Sequence, residues 1–515
     1  MRKWAPLVAV CLGTFMLLLD VTIVTVALPA MAGALHASLS DLQWVIDIYA
    51  LALAALLMGA GSAADALGRR KVYAVGTVLF AVASLACGLS TSAGMLVAMR
   101  CLQGVGGAAM FATTISLLGA EYQGKDRGIA FGLWGAVSGA ASALGPVLGG
   151  LLTEDLDWRW IFFVNLPISV VAVALTLRVV KESRGTRGQR LDVWGMLSWT
   201  VFAGVVTYAV IRANSLGWTS ARTLVAFAVA AVALAAFLFA QRVVAHPMLD
   251  LKLFRSGSFV AVMAGAFALN AAAFGVLPYT SIWLQTVLGF SPLKGGLVLV
   301  PLAASAFVVA GLGGRLLHGV PARFTVGGGL VLIGAGTLAM DVLHTDSQWT
   351  ALVPGLVICG IGVGLASPAL SQAVLASVPP HRAGMAGGAM NTFRQLGYAL
   401  GVALFGTLAA SRMAHDLTGH APDPHRNAEA LAGGGAGQLL AHTPAAARAA
   451  ADRVLHTAFA SGLDAAALYA GCVGVVAGVL VLVFARTPSA PRPQDGPPSA
   501  ASRASGAPDA VGTGA

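Results

Sequence analysis

Long, uninterrupted apolar stretches dominate this chain of 515 residues and constrain its fold more than any other feature. About 20 apolar residues in a helix cross the hydrocarbon core of a bilayer. About fourteen stretches reach that length, so the chain is expected to thread a membrane repeatedly. The predicted spans are 5–30, 42–63, 72–90, 94–119, 128–152, 159–180, 192–212, 221–241, 257–286, 293–314, 324–343, 349–375, 384–411 and 457–485.

The composition indicates lipid, not water, as the main surroundings. Hydrophobic residues make up 57% of the chain and charged residues only 10%, whereas a soluble domain carries about 25% charged residues. Only helices and closed barrels satisfy the backbone within lipid. The apolar stretches are continuous and do not alternate with polar residues, so the sequence predicts an all-α membrane protein.

The net charge of +10 could suggest a nucleic-acid partner. Lysine and arginine, however, concentrate in every second loop, as the positive-inside rule describes. This pattern excludes a nucleic-acid partner and predicts that both termini lie in the cytoplasm. The first stretch is too long for a signal peptide and contains Asp20, so we expect it to be retained as a helix.

Two basic linkers, 181–190 and 241–255, bracket two of the predicted spans and leave six on either side. This arrangement predicts two homologous bundles with a two-helix insert. The predicted divisions are an N-terminal six-helix bundle over 1–185, a two-helix insert over 186–245, a C-terminal six-helix bundle over 246–487 with a long extracellular loop over 412–456, and a disordered cytoplasmic tail over 488–515.

Two acids lie within predicted spans. A carboxylate near the bilayer centre is costly and must face a polar cavity, pair with a cation or take up a proton. Asp20, in the middle of the first span, is therefore a candidate proton carrier. The alternative is a helix-packing acid bonded to a neighbouring Thr or Asn. Asp47, about one turn into the second span, is a second candidate, although an acid near an interface can also reach water.

Arg100 lies within the fourth predicted span and needs a partner there. Two interpretations remain open for this arginine. It can assist proton transfer, or it can form an ion pair that fixes the bundle.

A short basic segment connects the second and third spans. It contains two glycines, one acid and three cations, with Gly61, Asp65 and Gly68 followed by Arg69, Arg70 and Lys71. Asp65 can bind a helix N-terminus or an arginine across the bundle interface in one conformation. We predict a gate there, with topology setting by charge as the alternative.

The fifth span has a nearly side-chain-free face because small residues recur every three or four positions. Such faces pack by close backbone approach in lipid, and a proline within a helix can bend it. We therefore predict a tight contact between the fifth span and a neighbouring helix. We also predict that this face slides when the helix bundles rock, and that it seals the cavity between them against leak. Its candidate residues are Gly139, Gly145, Pro146, Gly149 and Gly150.

These motifs resemble the major facilitator superfamily, and in particular its fourteen-span drug:proton antiporter family of the QacA/EmrB type. Residues 61–71 match the signature G-x-x-x-D-x-x-G-R-[RK]-[RK]. Residues 19–29 match L-D-x-T-I-V-x-V-A-L-P, with Thr25 where many members of the family have Asn. Residues 100–106 resemble R-x-x-Q-G-x-G, and residues 145–150 resemble the antiporter motif G-P-x-x-G-G. The resemblance implies proton coupling through Asp20 and Asp47.

The resemblance also implies the function. A bacterial inner-membrane antiporter of this kind expels small amphipathic or cationic drugs in exchange for protons, by alternating access of two bundles. A dedicated exporter of one metabolite, such as a self-made antibiotic or a siderophore, is the alternative, and a non-transporting receptor or enzyme is a remote one. The QacA type carries drug-specific acids in later helices, and the tenth and thirteenth spans of this chain hold none. The resemblance therefore does not imply divalent cationic cargo.

No cofactor, metal site or catalytic set is predicted, because no phosphate loop, nucleophile set or metal-ligand spacing occurs. The five cysteines lie within spans and are interpreted as packing residues. Five histidines in the 412–456 loop lack a completing Cys or acidic pair, so a solvated loop is favoured over a metal site. The proton gradient is the expected driving force, and a monomer is the expected state.

Overall fold

The computed structural model describes residues 2–35, 39–185, 191–244, 247–316, 320–341, 343, 347–419, 422–441 and 443–484. Every regular element among these residues is helical, which confirms the predicted all-α class. The helices are α1 (Ala5–Leu35), α2 (Leu39–Leu67), α3 (Arg69–Gly88), α4 (Ala93–Glu121), α5 (Gly124–Asp155), α6 (Trp160–Phe163), α7 (Asn165–Val179), α8 (Val193–Leu216), α9 (Ala221–Val243), α10 (Gly257–Phe274), α11 (Leu277–Ile282), α12 (Pro292–Leu316), α13 (Ala322–Leu338), α14 (Val353–Ala376), α15 (Ala383–Leu417), α16 (Pro424–Ala432), α17 (Ala436–Ala441) and α18 (Arg448–Phe484).

Twelve helices of the described residues are long and apolar enough to cross a bilayer. The helix α13 is apolar but has 17 residues, and α5 is a 32-residue helix that does not belong to the set of twelve. The number of fourteen spans therefore stays a prediction. Short 3-10 turns precede several helices, at Arg2–Trp4, Leu251–Arg255, Trp349–Leu352, Pro380–Arg382 and Ala445–Ala447.

The long helices pack in two groups joined by two main contacts. In the first group α1 packs on α5, and both α2 and α3 pack on α4. In the second group α13 packs on α14 and α18, and α10 packs on α15. The groups meet where α5 lies against α12 and where α2 lies against α15. The hairpin of α8 and α9 lies beside this junction, with α8 contacting both α2 and α15.

Glycines allow these helices to approach backbone to backbone. A Cβ added to Gly106 would lie 2.6 Å from the backbone nitrogen of Phe80, and one added to Gly336 would lie 2.7 Å from the carbonyl oxygen of Gly355. Lipid provides little hydrophobic drive for helix association, so close van der Waals packing at small residues must hold the bundles.

Two predicted spans are interrupted. The ninth consists of α10, α11 and a π-helical turn at Trp283–Val287. Pro278 lies in the first turn of α11, where its missing N–H removes the hydrogen bond that would continue α10. The sixth consists of α6 and α7, which are separated at Val164.

The prediction of one long loop over 412–456 is wrong within the described residues. Helix α15 continues to Leu417, α16 and α17 follow, and α18 begins at Arg448 instead of at 457. Asp423 caps α16 by accepting a hydrogen bond from the Arg426 N–H at 3.3 Å, and Pro424 occupies the first turn. An Asp-Pro pair is a helix-start signal that the sequence interpretation overlooked.

Some predictions fall outside the described residues. They concern the tail at 488–515, the linker residues 186–190, and His420 and His442 of the predicted loop.

Candidate functional site

A buried ion pair joins Asp20 of α1 to Arg100 of α4. The guanidinium Nη1 of Arg100 donates to Asp20 Oδ2. Asp20 is fully buried and Arg100 is 1% exposed. The structure thus shows the ion pair that was one interpretation of Arg100. Of the Thr or Asn proposed as alternative partners of Asp20, an asparagine, Asn165, also binds it.

Gln103 binds both members of the pair. Its Oε1 accepts from Arg100 Nη1 at 2.8 Å, and its Nε2 donates to Asp20 Oδ1 at 2.9 Å. Residues three apart on a helix share a face, so Arg100 and Gln103 of α4 reach α1 together. Gln103 is fully buried.

Two more polar side chains complete what we call the Asp20 cluster, which comprises Asp20, Ser84, Arg100, Gln103 and Asn165. Asn165, at the start of α7, donates to Asp20 Oδ1 at 3.4 Å and to Ser84 Oγ at 3.1 Å. Ser84 of α3 in turn donates to the Phe162 carbonyl at 2.9 Å. The Asn165 Oδ1 atom is buried and has no hydrogen-bond partner. The cluster therefore links α1, α3, α4 and α7, and it contains one hydrogen-bond acceptor, Asn165 Oδ1, without a donor.

Arg100 also contacts α2. Its Nε donates to the Val45 carbonyl at 3.1 Å, and the guanidinium lies 4.3 Å from the centroid of the Tyr49 ring. A cation over an aromatic face is stabilised when both are desolvated. The charge on Arg100 thus ties α2 to the Asp20 cluster.

The structure does not bring Asp47 into this cluster. Asp47 is partly exposed on α2 and has an attractive electrostatic interaction with Arg212 of α8. The Arg212 guanidinium lies 4.7 Å from the Trp44 ring centroid. The two acids that the sequence singled out therefore have different partners and do not share a site.

Asp65 bridges the two helix groups. Its Oδ1 accepts from the Gly384 N–H at 3.0 Å and its Oδ2 from the Met385 N–H at 2.9 Å, both at the N-terminus of α15. Arg69 donates from Nη2 to Asp65 Oδ1 at 2.8 Å and to the Pro380 carbonyl at 2.8 Å. One of the two contacts proposed from the sequence, a helix N-terminus across the interface, is thus present. The arginine that binds Asp65 is Arg69 of the same helix group, and not one across the interface as proposed.

The segment 61–71 is more helical than predicted, because only Gly68 interrupts α2 and α3. Gly68 has φ 116°, a region that favours glycine. A Cβ at Gly68 would also lie 2.9 Å from the Glu182 carboxyl group. Glu182 Oε1 accepts from the Arg70 N–H at 3.0 Å. A Cβ at Gly61 would overlap the Gly384 carbonyl oxygen, so α2 and α15 touch through backbone there.

The glycine face of α5 contacts both groups. Gly145 lies so close to α1 that a Cβ would overlap Thr22 Oγ1 and approach the Ile23 nitrogen to 3.1 Å. Gly139 and Gly150 face α12, where a Cβ would be 3.7 Å from the Ala303 carbonyl and 3.9 Å from Leu293 Cβ respectively. Gly149 is buried. The backbone at Pro146 is helical, and its side chain lies outside the described residues.

No group of three or more His, Cys, Asp or Glu that could hold a metal occurs among the residues that the structure describes.

Residues 10–402 match the Major Facilitator Superfamily. The chain belongs to this superfamily. The multidrug resistance protein Stp of Mycobacterium tuberculosis is 38% identical over 423 residues, covering 81% of this chain and 79% of that protein. The tetracenomycin C resistance and export protein of Streptomyces glaucescens is 34% identical over 504 residues, covering 93% and 91%. The multidrug efflux pump LfrA of Mycolicibacterium smegmatis is 33% identical over 493 residues, covering 94% and 97%.

Solved structures show the same fold. The human organic anion transporter MFSD10 superposes with a TM-score of 0.61 at 14% identity, covering 93% of this chain and 99% of that one. The proton:xylose symporter XylE gives 0.60 at 13% identity, covering 94% and 96%. This major facilitator chain is thus a multi-pass membrane protein with the fold of a transporter, not that of a soluble enzyme.

Sequence reasoning on this major facilitator protein missed the polar partners of its ion pair. Gln103 lies inside the motif that drew attention to Arg100, and its spacing of three residues placed it on the same helix face. Asn165 lies in an apolar segment, where an amide needs hydrogen-bond partners. Ser84 carried no such signal, because an isolated serine in an apolar helix can bond its own backbone.

Proposed function

We propose that this protein exports small amphipathic compounds, antibiotics among them, across the bacterial cytoplasmic membrane in exchange for protons. Relatives that cover most of the chain bear the names of multidrug and antibiotic resistance proteins, which supports efflux as the direction. The observation that carries the proton coupling is the fully buried Asp20–Arg100 pair.

Protonation of Asp20 would remove the negative partner of a buried arginine. Breaking a buried pair by neutralising one member costs about 3–5 kcal/mol when nothing replaces it. Arg100 binds α2 as well as α1, so the helices that hold it must rearrange when the pair is lost. In this proposal a proton that enters from outside shifts the balance between two arrangements of the bundles.

Asp65 supplies the gate in this mechanism. Its carboxylate holds the N-terminus of α15 against the end of α2, which closes the predicted cytoplasmic side. Loading of cargo from the cytoplasm requires these hydrogen bonds to open. The free-energy cost of losing the pair at the Asp20 cluster is thereby coupled to the opening of a defined contact between the bundles.

The test is proton-driven dye uptake into everted membrane vesicles that contain wild type, Asp20→Asn or, as a matched control, Asp452→Asn. Asp452 is 48% exposed and pairs with His456, so its loss should leave transport at the wild-type level. Asp20→Asn should abolish uptake that depends on the pH gradient while the protein still inserts and exchanges dye down a concentration gradient. Gradient-dependent uptake by Asp20→Asn at the wild-type rate would show that Asp20 has no role in proton coupling.

A further inference from the structure

The second helix group contains a membrane-embedded arginine that lacks an acidic partner. Arg394 lies in α15 and donates from Nε to Asn270 Oδ1 at 3.3 Å and from Nη2 to Ser367 Oγ at 3.1 Å. Within the described residues, its side chain forms no ion pair with a carboxylate. Its positive charge therefore meets only neutral dipoles.

Arg100 shows how the protein compensates a buried arginine with side chains of its own. Arg100 is matched by Asp20 and has a second acceptor in Gln103. Arg394 has a comparable place within a membrane-length helix, and no carboxylate on α10 or α14 approaches it. A guanidinium carries more N–H donors than the two hydrogen bonds use. An uncompensated charge at this depth is costly and marks a functional position.

The surroundings place Arg394 on the wall that faces the first helix group. Asn391, one turn earlier on α15, donates to the Phe111 carbonyl of α4 at 3.1 Å. Pro368, next to Ser367 on α14, lies so that a Cβ at Gly135 of α5 would be 3.2 Å from it. Both neighbours of the Arg394 site thus touch the opposite group, so the site lies where the two groups face each other, as a midplane cargo site does.

One further polar atom, a buried hydrogen-bond acceptor, lies near this site. Asn391 is fully buried and its Oδ1 has no hydrogen-bond partner. This acceptor and the unused donors of Arg394 lie on one face of α15, because residues three apart are neighbours on a helix.

We propose that Arg394, with Asn270 and Ser367, binds an anionic oxygen group of the cargo, such as a carboxylate or a phenolate. This inference rests on the proposed function and names the chemistry of the exported cargo. A guanidinium recognises such a group by charge-assisted, often bidentate, hydrogen bonds. The cargo would supply the negative charge that the protein omits. Amphipathic anions and zwitterions are therefore preferred over cationic drugs, which were one of the two cargo classes expected from the sequence.

The test uses a matched dye pair, rhodamine B with its free carboxylate and the ethyl ester of the same dye. Binding is measured by fluorescence polarisation with the purified full chain in detergent. Wild type should bind the acid about tenfold tighter than the ester, as one charge-assisted hydrogen bond provides. Arg394→Gln should lose this preference and bind the ester as wild type does. Arg394→Lys should keep part of it, because the charge remains without the planar fork.

The control is Arg426→Gln, which removes an exposed arginine of α16. It should leave the acid preference unchanged. Equal affinity of wild type for acid and ester, absence of acid binding, or an equal loss of both dyes in Arg394→Gln would each overturn the inference. An equal loss would assign Arg394 to the scaffold.

The same dyes in proteoliposomes separate this inference from the proposed function. Gradient-driven transport without acid preference would reject the anion site and retain export. Selective binding of the acid without gradient-driven transport would retain the site and reject proton-coupled export.

Discussion

Asp65 and Gly384 are 319 residues apart in the chain, yet the Gly384 N–H donates to Asp65 Oδ1 at 3.0 Å. The Met385 N–H occupies the other carboxylate oxygen. The acid therefore caps the N-terminus of α15 from a different helix group, where the helix dipole favours negative charge. The hydrogen bonds of this one carboxylate form only when the two helix groups are in contact at this end.

Asp65→Asn should weaken the closed arrangement. The amide keeps the shape but loses the charge and replaces one acceptor by a donor that faces Arg69 or Met385. Hydrogen bonds to charged groups contribute about 1.5–3 kcal/mol, so efflux should fall about tenfold. Dye efflux from whole cells measures this. Asp126→Asn, which removes a partly exposed acid paired with Lys3, should retain wild-type efflux, and equal rates in all three proteins would argue against the gate.

Gly145→Ala and Gly139→Ala should differ sharply although both lie on α5. The methyl group at Gly145 overlaps Thr22 and presses on the α1 backbone, whereas the methyl at Gly139 meets α12 at an ordinary 3.7 Å. Overpacking costs about 1–3 kcal/mol. Thermal unfolding in detergent should show a lower Tm for Gly145→Ala and a Tm near wild type for Gly139→Ala. The same Tm for both variants would contradict the close approach of α1 and α5.

Gln103→Leu should destabilise the protein and impair transport. The change removes one of two acceptors of Arg100 Nη1 and one of two donors to Asp20 Oδ1 in a fully buried place. Leaving buried polar groups without partners costs about 1–3 kcal/mol each. Thermal unfolding and dye efflux measure the two effects. Gln123→Leu is the control, because Gln123 is exposed and makes no capping hydrogen bond; unchanged unfolding of Gln103→Leu would contradict the described cluster.

The ion pair of Asp250 with Arg382, at 2.6 Å, should be insensitive to pH in the physiological range. Partial burial alone would raise the pKa of Asp250, but the hydrogen bonds from Arg382 and from the Lys252 N–H outweigh it and lower that pKa. A group with a lowered pKa keeps its contribution above its unfolded value, about 3.9, and loses it only as the pH falls through the folded pKa.

Asp250→Asn should therefore change efflux by a constant factor between about pH 5.5 and 7.5. The ratio of wild-type to variant rates, measured in vesicles with equal pH on both sides and an imposed dye gradient, checks this. A ratio that drops towards one at the acidic end would show that Asp250 titrates in that range.

Much of the fold was accessible from the sequence because lipid imposes a simple rule. Continuous apolar stretches of sufficient length must be helical, and the segment 61–71 carries charges that no lipid-buried helix would hold without partners. Interruptions were harder to predict. Pro278 breaks α10 from α11, whereas Pro301 and Pro368 lie inside α12 and α14 without ending them. The difference depends on the neighbouring helices, which the local sequence does not contain.

The candidate site was accessible in parts. Asp20 and Arg100 each stand out as charges in apolar helices, but 80 residues separate them and periodicity cannot pair them. Asp47 stands out by the same rule and belongs instead beside Arg212. An acid within an apolar helix is recognised from the sequence equally well in both cases. Which cation each acid binds depends on the arrangement of α1, α4 and α8.

The α8–α9 hairpin has a consequence for the junction of α2 and α15. Met196 of α8 lies beside Gly59 at 3.4 Å from a would-be Cβ, and Trp218 Nε1, just after α8, donates to Thr407 Oγ1 of α15 at 3.1 Å. The hairpin thus covers the junction of α2 and α15. Lipid acyl chains are therefore kept from inserting between the glycines of this junction. The hydrogen bonds between Asp65 and α15 can then break and re-form without lipid entering between the helices.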